Sequence, residues 1–186
     1  MVLMVGRCKT SKDDENLFRF MWQLSMELDK EIGIAYCRKR DRTLYPYKLC
    51  IGDECAKQNP TVNIEACPSG QKRMDVHTHP RMPIPVQSTG DIMESTQYGV
   101  HESCIIDRDG RYACIIGFDK AGHAARTPLY ELRHECGKAN FDDAQERYRN
   151  GNLDYEEYRQ VAEPYYHCIM SSISKNTKLK ACEGRL

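Results

Sequence analysis

The sequence predicts an α+β (α/β-like) domain, a mixed β-sheet flanked by helices, with a helical extension at its C-terminal end. Three observations carry this. Apolar residues recur at helical spacing early in the chain and then give way to strand-like runs. Two of those runs flank Arg108-Asp109-Gly110, a hairpin signal. From about residue 128 the character turns polar and helical, so the expected division is a core over 1–127 and an extension over 128–186.

Each element follows from its pattern. In residues 11–30, Leu17, Phe20, Met21, Leu24 and Leu28 share one helical face, and Ser11 with Asp14 forms a capping-box pair. The period then changes, and residues 31–38 read as a strand followed by a charged turn. Residues 43–51 form a second strand, with Pro46 marking an edge or a bulge. Residues 61–66 are a weaker strand, and RMDVHTH (73–79) a further one, ended by Pro80. Ser88 opens a helix to about Tyr98, with Gly99 as its stop. The hairpin strands are 101–107 and 111–118. One later helix covers 141–149 and breaks at Asn150-Gly151. Another starts near Asp154, carrying Tyr158, Ala162, Tyr165, Ile169 and Ile173 on one stripe and Pro164 as a kink. The last segment, KNTKLKACEGRL, reads as a frayed tail.

Composition narrows the function classes. The 186 residues carry 27 basic and 27 acidic side chains, so no global charge favours nucleic acid or a membrane surface. Mean hydropathy is −0.68, and no apolar run is long enough to cross a bilayer. With no recognisable signal segment at its start, the chain is expected to be cytoplasmic. Its ten cysteines form no paired CxxC knuckles. Cys37, Cys104 and Cys114 lie in apolar runs, where a free thiol behaves as a small hydrophobe. Disulfides stay open as the alternative, known inside hyperthermophiles. No cysteine has the histidine context of a nucleophile.

The chemistry concentrates in VHTHPRMPIPVQSTGD, residues 76–91. Side chains at i and i+2 of a strand share a face, so His77 and His79 can both offer a ring nitrogen to one ion. Asp91, at the start of the next helix, adds a third ligand. Three protein ligands and an open fourth position characterise catalytic zinc, whose bound water has a pKa near 7. The plainer interpretation is a strand carrying two histidines and a Ser88–Asp91 helix cap.

HTHP followed by SxxD resembles the JAMM (MPN+) metalloprotease family, whose pattern is an upstream glutamate, His-Ser/Thr-His-Pro and Ser-x-x-Asp. The resemblance covers roughly residues 12–118, with eight residues between His79 and Ser88 where the family has seven. It implies a cytidine-deaminase-like JAB/MPN core, Zn2+ held by His77, His79 and Asp91, and Ser88 stabilising the tetrahedral intermediate. The implied activity is hydrolysis of peptide or isopeptide bonds in a protein substrate, with ubiquitin or a ubiquitin-like modifier in view. Room is left for a homodimer. It also implies a general base where the first helix meets the first strand, which is Glu31. Rivals are Glu27 and Asp29 a turn earlier, and Glu54 and Glu65 in less regular sequence.

Three other readings compete. Asp75-Val76-His77-Thr78-His79 resembles the DxHxH signature of barrel phosphoesterases and amidohydrolases, but such barrels run ~250 residues. A non-catalytic JAB/MPN scaffold would share the fold. His134, Cys136, His167 and Cys168 could form a second zinc site, against solvent-facing histidines and buried thiols. His101 and His123 read as ordinary loop residues, the C-terminal tyrosines as helix packing, and the run Asp142–Arg149 as a solvated helix face.

Overall fold

The computed structural model describes residues 5–38, 44–52 and 67–186, with 44–48 as backbone only. Seven strands form one mixed sheet: β1 (Gly6–Arg7), β2 (Ile32–Arg38), β3 (Leu44–Ile51), β4 (Lys72–His79), β5 (Glu102–Asp107), β6 (Arg111–Ile116) and β7 (Lys180–Arg185). Their order is β1-β7-β6-β5-β4-β2-β3, an open sheet rather than a barrel. β1 and β7 are parallel, as are β4 and β5, and every other pair is antiparallel. The parallel β4–β5 pair requires a crossover, and α2 (Thr89–Gln97) supplies it.

Helix α1 (Lys12–Leu28) begins with the expected capping box, in which Ser11 Oγ accepts the Asp14 N–H at 3.1 Å. Asp14 is buried and also takes hydrogen bonds from Tyr36 Oη and Arg38, at 3.0 and 2.7 Å. Phe18 and Met21 pack on one face of the sheet against Ile34, Tyr36, Met74, Val76 and Ile106. Alternate residues of the strands serve the other face. There Ala113 and Ile115 meet Leu129, Phe141, Tyr158, Tyr165 and Ile169 from α4 (Arg126–Glu135), α5 (Lys138–Arg149) and α6 (Tyr155–Asn176). The result is three layers, with α1 on one side of the sheet and the C-terminal helices on the other. α3 (Phe118–Ala121) and a 3₁₀ turn link β6 to α4, so helix begins before residue 128.

Pro46 meets both expectations. β3 is an edge strand, and its register with β2 shifts where Tyr36 faces Pro46. The hairpin turn closes at Gly110, whose φ of 73° suits glycine. Asp107 accepts the backbone N–H groups of Asp109 and Arg111, each at 2.9 Å. Asp154 caps α6, whose five-residue stripe is buried; the helix runs through Pro164. Phe141 stacks on Tyr165 at 4.6 Å between ring centroids. The expected strand at 61–66 lies outside the described residues.

The expected frayed tail is corrected. Residues 180–185 form β7, paired with β6 from Ile116↔Lys180 to Arg111↔Arg185, and Cys182 is bonded to Cys8 of the N-terminal segment. The sequence hid this because KACEGR has no apolar alternation; its strand is held by two neighbours. The choice left open for the cysteines falls to disulfides. Disulfides join Cys37–Cys67, Cys104–Cys114 and Cys136–Cys168, Cys50 is also bonded, and no cysteine is free among the described residues. A disulfide sulfur is no thiolate ligand, so the second zinc site at Cys136 and Cys168 is removed. Among the described residues, no helix is long and apolar enough to cross a membrane.

Candidate metal centre

The site begins with the two-residue repeat of β4. Val76 faces the α1 layer, and Thr78 is tied there: its hydroxyl donates to Ser25 Oγ at 2.7 Å and accepts the Ile32 N–H at 2.9 Å. His77 and His79 take the opposite face, their ring centroids 4.9 Å apart. The loop after Pro80 is held by its own burial. Ile84 and Val86 enter the core, the Met82 N–H donates to His79 O at 3.1 Å, and Met82 O accepts the Arg108 N–H at 3.1 Å. Arg111 donates to Pro83 O as well. An anchored loop of this kind returns Ser88 and α2 to the histidines.

Ser88 is the N-cap of α2, and Asp91 completes the capping box. Ser88 N–H donates to Asp91 Oδ2 at 2.5 Å, and the Asp91 N–H donates to Ser88 Oγ at 3.2 Å. The other carboxylate oxygen, Oδ1, lies 3.2 Å from His77 Nε2. The cap and the ligand role are therefore compatible, since one oxygen serves the backbone and one faces the histidines. One donor atom from each of His77, His79 and Asp91 lies within 4.8 Å of the others, a grouping that could hold a metal ion. Among the described residues, buried His79 Nδ1 has no hydrogen-bond partner, which fits a donor set completed by a cation rather than by protein.

The charges are strongly coupled. Burial works against the charged form of His77, yet Asp91 outweighs it and pushes the pKa up to about 9. Burial and the neighbouring His77 depress His79 to about 4, leaving it neutral near pH 7 with a lone pair available. Burial would raise Asp91, but both histidines and the Ser88 side chain hold it far below the usual carboxylate range.

Glu31 lies between the left-handed C-cap of α1, Asp29 with φ 48°, and the first residue of β2. It lines the same cleft as the triad, about 580 Å³ in volume. Burial of its carboxyl raises its pKa, His77 opposes the rise, and Asp91 adds to it. Among its rivals, Asp29 is exposed and paired with Arg81 at 2.6 Å, and Glu27 lines neither cavity of the site. Glu54 and Glu65 lie outside the described residues. Asp75 of the alternative DxHxH signature sits in the cleft wall, bonded to Arg73 at 3.1 Å. His101 stands apart, between Asp119 and Lys72.

One wall had no signal in the motif. Helix α5 closes the cleft with Lys138, Phe141, Asp142, Gln145 and Arg149. A second cavity of about 810 Å³ adjoins the first, sharing Glu31, His79, Met82, Gln145 and Arg149. The run read as a solvated face thus has a second side. Phe141, Gln145 and Tyr148, spaced four and three residues apart, were the available sign of it. No family model, curated protein or solved structure matches this chain.

Proposed function

We propose that this chain is a zinc-dependent metallopeptidase of the JAMM/MPN+ type, hydrolysing a peptide or isopeptide bond in a protein substrate. The observation that carries the reading is the convergence of His77, His79 and Asp91 donors within 4.8 Å, in a cleft that Glu31 also lines. Two imidazoles and one carboxylate suit zinc in both number and type. Zinc held there supplies Lewis acidity and lowers the pKa of water.

The chain's own groups supply the rest. The Glu31 carboxylate takes a proton from the attacking water and returns it to the leaving nitrogen, a task helped by a pKa above that of an ordinary glutamate. Ser88 lines the cleft beside Asp91, and its hydroxyl would turn from the Asp91 carboxylate to donate to an oxyanion there. A thiol nucleophile has no place in this scheme, because the described cysteines are bonded. Ubiquitin or a ubiquitin-like conjugate is the substrate class we assign, with a homodimer as a further possible assembly. Disulfides persist in oxidising compartments or inside hyperthermophiles, so a cytoplasmic setting belongs with the second case.

The test is hydrolysis of ubiquitin-like fusion proteins by the purified chain. Cleavage that a chelator abolishes and stoichiometric zinc restores is the expected result. Cleavage that survives chelation, or a metal-loaded protein inert towards fusions and simple peptides alike, overturns it.

A further inference from the structure

The second cavity is built differently from the first. Its lining holds three cations, Lys30, Arg81 and Arg149, against two acids, Asp29 and Glu31. Arg81 is spent on Asp29, with contacts of 2.6 and 3.2 Å. Among the described residues, Lys30 and Arg149 have no ion pair. Arg149 sits on the wall common to both cavities and is close enough to Glu31 to oppose the rise of its pKa. Tyr158 adds a second kind of observation. The residue is fully buried, it lines this cavity, and among the described residues its hydroxyl has no hydrogen bond of good geometry, the Gln145 amide of the same wall being its polar neighbour. A buried hydroxyl without a well-formed hydrogen bond is costly unless something completes it.

We infer that this cavity is a substrate subsite for a carboxylate, read by the Arg149 guanidinium with Lys30 beside it and the Tyr158 hydroxyl within. A guanidinium offers two parallel N–H donors to the two oxygens of a carboxylate, and a lysine adds charge without fixing geometry. Because the cavity shares His79 and Glu31 with the metal cleft, the carboxylate would belong to a residue close to the scissile bond. It is either the C-terminal carboxylate of a peptide or an acidic side chain; both present the same group. The subsite's place in catalysis rests on the peptidase reading, whereas its affinity for a carboxylate does not.

Binding is therefore measured apart from turnover, by following backbone amide shifts of residues 30 and 145–149 during titration with N-acetylglycine and with its neutral amide. The acid should shift these amides and the amide should not. Arg149→Gln should weaken binding of the acid at least tenfold. Arg149 is exposed and has no ion pair among the described residues, so this variant should fold as the wild type does. Equal binding of acid and amide, equal binding by Arg149→Gln, or a response to inorganic phosphate alone would overturn the inference. Paired peptides then separate the two sources of the carboxylate. A kcat/KM at least tenfold higher for a free C-terminus than for its amide identifies the chain end. The same preference for Glu over Gln beside the cut identifies a side chain, and preference for neither removes the subsite from catalysis. Absence of all cleavage beside intact N-acetylglycine binding would count against the peptidase and leave the carboxylate site standing.

Discussion

His77 and His79 share a face because a strand repeats every two residues, and Thr78 between them secures α1 to the sheet's other side. That much follows from HTH alone. Glu31 is different, since its link to the site runs through the turn after α1, where Asp29 adopts a left-handed conformation and re-aims the chain. Glu31→Gln preserves shape and removes the proposed proton acceptor. The variant should keep its metal and its melting temperature while kcat falls by ~10²–10⁴. Wild-type turnover in Glu31→Gln would transfer the base to another carboxylate, with Asp29 the first to test.

At the scale of elements, the local signals and the long-range ones part company. Capping boxes, the Asp107–Gly110 turn and the buried stripe of α6 were legible because each is decided within a few residues. β1 and β7 were not. Gly6-Arg7 is too short to show a pattern, and Lys180–Arg185 becomes a strand only because β6 and β1 lie on either side of it. The disulfide between Cys8 and Cys182 links residues 174 apart in sequence and joins these same two segments. Closing so long a loop restricts the unfolded chain strongly, and losing a native disulfide typically costs about 2–5 kcal/mol. The double variant Cys8→Ser/Cys182→Ser should lower the melting temperature by roughly 4–20 °C, given about 2–4 °C per kcal/mol at this size. An unchanged melting temperature would mean that β7 holds its place without the bond.

For the molecule as a whole, the sheet divides the labour. One face, covered by α1, is a packed layer with the Asp14–Tyr36–Arg38 cluster inside it. The other face carries His77 and His79 under a roof of C-terminal helices. The candidate metal centre therefore draws its walls from stretches of chain that are far apart in sequence, among them residues 77–91 and 138–149. The first was legible as a motif. The second was not, because a helix wall is recognised only by what it packs against.

The proposed function depends on a cation at His77, His79 and Asp91, and elemental analysis of purified wild-type protein beside His79→Ala tests that directly. The account predicts about one zinc per wild-type chain and loss of most of it in His79→Ala, with both proteins folded by circular dichroism. Equal metal content in the two folded proteins would contradict it.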